Sequence, residues 1–202
     1  MSKEKLIIFV KNEEAGKVKT RLAKSVGDEK ALEIYRKLLD YTARQVSALP
    51  QKKEVWYSAF IEKEDVWDEE VFAKKVQKGD GLGERMSRAF QKSFEEEGVE
   101  KVVIIGSDCA ELTTAIIEEA FSSLDANDVV IGPAADGGYY LLGMKTFFPQ
   151  LFKEIAWSTE SVLESTIQKA KEMGADYFLL PELNDVDEIE DWKRVEEKFW
   201  HT

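Results

Sequence analysis

The chain of 202 residues is poor in the residues that staple, cage or interrupt structure. Cys109 is its only cysteine, which excludes an intrachain disulfide and a metal cage built from thiolates. A reducing, cytoplasmic compartment is therefore expected. The one histidine, His201, stands next to the last residue and is expected to be exposed rather than catalytic. Cys109 then has no histidine to activate it and reads as a packing residue, not a nucleophile. Only four prolines occur, with no Pro/Gly/Ser linker, heptad or internal repeat, so one domain over residues 1–202 is expected. The apolar run near the amino terminus covers residues 6–10 and is followed at once by Lys11. Five residues make a strand, not a signal peptide or a membrane span. Positive charge is also short: 28 Lys and Arg face 40 Asp and Glu, a net charge of −12. That balance argues against nucleic acid or an anionic membrane as partner; a small-molecule partner and a monomer or homodimer are expected.

What is present is a regular alternation of apolar runs and amphipathic stretches. Hydrophobic residues make up 44% of the chain, enough in a chain this long to bury a core. Residues 6–10, 53–60, 101–106, 128–132 and 176–180 read as strands, with a further brief strand near Val76. Helices are expected over residues 28–47, capped by Asp28, and from Leu82 through Phe94 with Leu82, Met86, Ala89, Phe90 and Phe94 facing the core. Others are expected over 113–124, briefly over 147–155, and over 159–173 with Ser161 and Glu164 at capping-box spacing. A last helix follows Asp187, packed by Ile189, Trp192, Val195 and Phe199. Residues 61–75 show high charge and a weak pattern, read as a short helix before the Val76 strand. Strands alternating with helices predict an α/β fold with a largely parallel sheet.

In such a sheet ligands bind outside the carboxyl ends of the strands, so the residues just after each strand deserve chemical scrutiny. After the first strand, residues 11–22 carry Lys11, Lys17, Lys19 and Arg21 around Gly16, a local reversal of the protein's charge. Such a loop offers backbone N–H groups and point charges to phosphate, although no Gly-Lys-Ser/Thr closes it as a P-loop would; it could also be a solvated loop. After the 101–106 run come Ser107 and Asp108, where a carboxylate can reach a metal or substrate, or can simply cap the next helix. Gln77, Gly79, Gly81, Gly83 and Arg85 form a glycine-rich loop whose spacing is not the dinucleotide fingerprint; Arg85 is expected near the crevice. Asp136, Gly137 and Gly138 either turn a hairpin or bring backbone close to a ligand. Asp187 with Glu190 has the spacing of a helix cap, whereas Asp185 has no such local role.

Read in order, these motifs resemble the GT-A-type transferases, and most closely the small bacterial group labelled DUF2064, glycosyltransferase-like members of the nucleotide-diphospho-sugar transferases. The resemblance rests on Gly16 to Leu22, Gly81-Leu82-Gly83-Glu84-Arg85-Met86, Gly106-Ser107-Asp108-Cys109, Asp136 to Leu141, Trp157-Ser158-Thr159 and Asp185 to Asp187. This chain departs from the pattern at Asn12-Glu13-Glu14, at Gly81 for aspartate, at Ala110 for proline and at Glu188-Ile189 for Thr-Pro. The resemblance implies a three-layer αβα Rossmann-like GT-A fold, its mixed, mainly parallel sheet carrying one antiparallel strand. By similarity to the guanylyltransferases of molybdopterin and phospholactate cofactor synthesis, Lys11, Gly16, Lys17, Lys19 and Arg21 would hold phosphate oxygens. Gln77, Gly79, Gly81, Gly83 and Arg85 would hold the base and ribose. Asp108 and Asp185, with Asp187, would hold Mg2+ or Mn2+, and Lys19, Arg21 and Asp108 would carry the chemistry. Asp136, Gly137, Gly138 and Trp157 would face the acceptor. The implied activity is nucleotidyl transfer from a nucleoside triphosphate to a phosphorylated or hydroxylated acceptor. Glycosyl transfer from a nucleotide sugar is the alternative, and a nucleotide-binding module without turnover a third.

Overall fold

A computed structural model describes residues 2–199; His201 lies outside them. Seven strands form one sheet: β1 (Glu4–Val10), β2 (Lys52–Tyr57), β3 (Phe72–Val76), β4 (Lys101–Ile105), β5 (Val129–Pro133), β6 (Tyr139–Met144) and β7 (Tyr177–Leu179). Their order is β3-β2-β1-β4-β6-β5-β7, with β6 antiparallel to both neighbours and every other pairing parallel. The central strands are apolar on both faces because helices cover both. Along β1, Leu6, Ile8 and Val10 pack under α2 (Asp28–Ser47) and α4 (Thr114–Ser123), while Ile7 and Phe9 pack with α3 (Leu82–Phe94) and α5 (Val162–Glu172). Two short helices, α1 (Thr20–Val26) and α6 (Ile189–Val195), pack outside α2 through Leu22, Ile34, Leu38 and Trp192. The result is the three-layer αβα arrangement with a mainly parallel sheet. Among the described residues no helix is long and apolar enough to cross a membrane.

Several local expectations are corrected. Residues 61–71 form no helix, because Asp65 spends its carboxylate on the Trp67 N–H, the Lys74 ammonium and the Tyr57 hydroxyl. The basic segment after β1 is not all loop: its last residues, from Thr20, open α1 (Thr20–Val26). Gly27, at φ 83°, separates α1 from α2, so Asp28 is the first residue of α2 rather than its cap. Leu82 is exposed at the start of α3, and Ser161 makes no side-chain cap to α5. The expected helix over 147–155 is a single 3-10 turn, Pro149–Phe152.

The capping alternatives are settled by geometry. Thr113, not Ser107 or Asp108, caps α4, its hydroxyl accepting from the Ile116 N–H. Glu188 and Asp191 form the capping box of α6, which releases the Asp187 side chain from that role. Both aspartates are left available for other contacts.

Candidate functional site

The chain's crossovers run to one side of β1 for β2 and β3 and to the other side for β4, so the strand order reverses between β1 and β4. A crevice opens at such a switch point, outside the carboxyl ends of the strands. Here it is a cleft of about 1540 Å³, floored by Val10, Lys11 and the Ile104–Asp108 stretch.

One half of the cleft is ionic. Lys19 is the left-handed residue (φ 46°, ψ 46°) that precedes α1, a conformation disfavoured for a residue bearing a Cβ. Its buried ammonium donates to Asp108 Oδ2 at 3.0 Å and to Asp187 Oδ1 at 3.2 Å. Arg21, exposed on the first turn of α1, pairs with the other oxygen of Asp187. Burial works against the Lys19 charge, but Asp108 and Asp187 outweigh it and hold the amine protonated above the ordinary lysine range. Burial likewise opposes ionisation of Asp108, and the Lys19 charge prevails to keep its pKa below the usual value. Asp185 differs: burial first, and then the neighbouring Asp108 and Asp187 charges, push its carboxyl well above the usual range despite Lys19. Its Oδ1 is buried without a hydrogen-bond partner.

Two side chains not singled out in the sequence, Tyr35 and Asn12, and one that was, Gln77, hold the strand ends in place. The Tyr35 hydroxyl, reaching from α2, accepts from the Lys11 N–H at 2.8 Å, donates to the Lys11 carbonyl at 3.1 Å and lies 3.4 Å from Ser107 Oγ. Burial raises this phenol to about 12, so it stays protonated as a brace. The Asn12 carboxamide, on a buried residue, accepts from the Ala59 N–H at 2.9 Å and donates to the Phe60 carbonyl at 2.8 Å. Gln77 lines the cleft while donating to the Trp56 carbonyl at 2.7 Å. Tyr35 looks in sequence like one more apolar position of an amphipathic helix, which is why its hydroxyl gave no signal.

The other half is largely apolar, walled by Phe9, Met86, Ile104, Tyr139 and Trp157. Tyr139 meets Trp157 edge-on, with ring centroids 6.4 Å apart. Gly83 sits against this wall: a Cβ there would lie 2.2 Å from the Trp157 indole. The β5–β6 turn closes the end. Asp136 is exposed and accepts from the Gly138 N–H at 2.9 Å, while the Gly137 carbonyl accepts from the Leu163 N–H at 2.9 Å. Gly137 has φ 85°, and a Cβ there would collide with the Glu160 carbonyl at 2.1 Å.

The fold therefore brings Lys11, Lys19, Arg21, Gln77, Asp108, Asp136, Gly137, Gly138, Trp157, Asp185 and Asp187 to one cleft. Gly16, Lys17, Gly79, Gly81, Gly83 and Arg85 lie outside its lining. Lys17 is exposed and pairs with Glu14 at 2.7 Å. Arg85, expected to face the crevice, turns back instead: its Nε donates to the Gly79 carbonyl at 3.0 Å, so it stiffens the glycine loop from behind. Ser158, Thr159 and Glu160, not singled out from sequence as ligand contacts, line the rim. Among the described residues no three His, Cys, Asp or Glu side chains stand as a ready set of metal ligands. The donor chemistry nevertheless fits a hard dication: Asp108 and Asp185 are oxygen donors in one cleft, and Asp185 Oδ1 has nothing to bind.

The family model for an uncharacterized protein conserved in bacteria (DUF2064) matches residues 41–159. The chain belongs to this family. The matched span holds Asp108, Asp136 and Trp157 but neither the Lys19 segment nor Asp185 and Asp187. A protein from Desulfovibrio desulfuricans G20, provisionally named a nucleotide-diphospho-sugar transferase, extends the likeness to the whole DUF2064 chain. It is 32% identical, with 100% of this chain and 90% of that one covered and a TM-score of 0.91. A CMP:2-keto-3-deoxy-manno-octonic acid synthetase complexed with CTP is 12% identical, covering 98% of each chain at TM-score 0.60. The 4-diphosphocytidyl-2C-methyl-D-erythritol synthase of Anaerococcus prevotii DSM 20548 is 11% identical, covering 97% of this chain and 95% of that one at TM-score 0.59. These last two share the fold. No curated protein matches the sequence.

Proposed function

We propose that this DUF2064 chain is a metal-dependent transferase that uses a nucleoside triphosphate and transfers the nucleotidyl group to a small phosphorylated or hydroxylated acceptor. The observation that carries the reading is the ionic half of the cleft. Cations Lys11, Lys19 and Arg21 face carboxylates Asp108, Asp185 and Asp187 at the β1–β4 switch point, and one buried carboxylate oxygen lacks a partner. In a protein of net charge −12, a cationic segment at the mouth of a cleft is where an anionic substrate is drawn in. The neighbours named as synthetases and transferases of nucleotide-activated compounds support the same reading.

In this scheme an acceptor oxygen attacks the α-phosphorus and pyrophosphate departs. Asp108 and Asp185, with Asp187, would hold Mg2+ or Mn2+, which when bound compensates the charge on phosphate oxygens. Arg21 and Lys11 offset the charge that accumulates on the leaving pyrophosphate. Tyr35 keeps Lys11 and Ser107 in fixed relation, so that the cation and the adjoining Asp108 are pre-positioned. Asp136, exposed beside the apolar wall, accepts the proton of an acceptor hydroxyl. Tyr139 and Trp157 exclude water from that side.

Thermal unfolding against ATP, GTP, CTP, UTP and their diphospho-sugars, each with and without Mg2+ or Mn2+, tests the reading. A ligand at one hundred times its dissociation constant adds about 2.7 kcal/mol, or roughly 5–10 °C. If no nucleotide raises the midpoint in the presence of metal, the reading fails. The name of the Desulfovibrio relative favours a second reading, glycosyl transfer from a nucleotide sugar. Products separate the two: pyrophosphate marks nucleotidyl transfer, and a nucleoside diphosphate marks glycosyl transfer.

A further inference from the structure

In the free protein Lys19 is not placed as a phosphate-gripping lysine. Lys11 and Arg21 are exposed at the cleft, whereas the Lys19 side chain is only 5% exposed and its ammonium is committed to Asp108 and Asp187. The left-handed backbone at Lys19 sets the start of α1 and turns this side chain inward. We propose that Lys19 is a built-in counter-ion that occupies the carboxylate cluster of the free protein and excludes a bare divalent cation, so that metal enters only together with the nucleotide. The inference rests on the metal-and-nucleotide reading above.

The charges make the case. The carboxylates of Asp108 and Asp187 are paired with the Lys19 ammonium and the Arg21 guanidinium. The cluster is balanced as it stands. A dication arriving alone at Asp108 meets the Lys19 ammonium on the same carboxylate, and the two cations repel. A nucleoside triphosphate changes the balance. Its phosphates bring negative charge that Lys19 can take up by swinging from Asp108 and Asp187, and the vacated carboxylates then receive the metal. The ordering prevents the site from filling with metal in the absence of substrate.

The test is Mn2+ binding without nucleotide, measured by electron paramagnetic resonance titration of free Mn2+ for the wild type and for Lys19→Gln. The wild type is expected to bind weakly alone and at least about tenfold more tightly with whichever of ATP, GTP, CTP or UTP stabilises it. K19Q is expected to bind Mn2+ alone at least about tenfold more tightly than the wild type does. Equal Mn2+ affinities for the two proteins without nucleotide would overturn the inference while leaving the nucleotide reading standing. If neither protein binds any of the four triphosphates with Mn2+, that reading fails and the inference falls with it. A wild-type measurement covers the case in which K19Q does not fold. In lysine side-chain 1H–15N spectra, the shielded Lys19 ammonium signal is expected to persist on adding Mg2+ alone and to shift when the triphosphate is added with it. A shift with Mg2+ alone overturns the inference.

Discussion

Lys5 and Lys19 are both buried among carboxylates, and they serve opposite ends. Lys5, on β1, has a fully buried side chain and binds Glu54 at 2.9 Å and Glu96 at 2.6 Å. Glu54 also accepts from Lys75 at 2.8 Å and from the Trp56 indole at 2.9 Å, so the network is closed by the fold alone. Lys19, beyond the other end of the same strand, also bridges two carboxylates, but its cluster opens on the cleft and includes the unpartnered Asp185 oxygen. Burying a charge is tolerated when its hydrogen bonds are complete. The incomplete cluster is the one placed to meet a ligand.

The comparison breaks most visibly at Lys5. Lys5→Met leaves Glu54 and Glu96 without their buried ammonium and should cost about 3–5 kcal/mol in a denaturant melt. Its nucleotide-dependent thermal shift should match the wild type, because the closed network touches no part of the cleft. Asp185→Asn should act in the reverse sense: it removes a carboxyl forced upward by burial and by Asp108, and a gain of about 1 kcal/mol is expected. The same variant should lose the metal-dependent part of the thermal shift. A loss of stability in D185N would mean that its carboxylate is satisfied in the free protein.

Acid sharpens the contrast. Burial raises Glu54, but hydrogen bonds from Lys75 and Lys5 prevail and its folded pKa lies below the ordinary 4.5. A depressed carboxylate stabilises the fold above the unfolded value, and that contribution disappears as pH falls through the folded one. The stability gap between wild type and Glu54→Gln should therefore be constant near neutrality and shrink below about pH 4.5, measured by urea melts at stepped pH. The smallest effect belongs to Lys17, which is exposed with its partner Glu14. Lys17→Ala should alter stability by no more than about 0.5 kcal/mol, and a large loss of nucleotide stabilisation in this variant would return Lys17 to the phosphate contacts.

How much of this could be read in the sequence follows the range of the interactions involved. Buried strands such as 101–105 and the amphipathic α2 declare themselves through local periodicity. The order of polar motifs after the strands places Asp108, Asp136 and Asp185 beyond strand ends, as the fold does. Helix α1 was hidden because its first flanking residue is a left-handed lysine with no capping side chain, which reads as part of a basic loop. The absence of a helix over 61–71 depends on Asp65 pairing with Tyr57 and Lys74. Arg85 was expected outward because its helical position says nothing about the Gly79 carbonyl behind it. Above all, the Lys19–Asp108 and Lys19–Asp187 contacts join residues far apart in the chain, and no local pattern announces them.

If the proposed transfer reading holds, the hairpin turn at Gly137 has a mechanical consequence for substrate choice. Its carbonyl is bonded to the Leu163 N–H, the Ala135 N–H is bonded to the Leu183 carbonyl, and the Glu160 backbone presses on Gly137 where a side chain would be. The turn that carries Asp136 is thereby riveted to the start of α5, and α5 follows directly from the Trp157 wall. Under the proposed transfer reading, this side of the cleft is a fixed die against which an acceptor would be gauged by size and shape. On that reading, an acceptor too large for it would not be admitted by moving the turn alone, and changing the selectivity would require recutting the die at Gly137, Trp157 and Glu160 together.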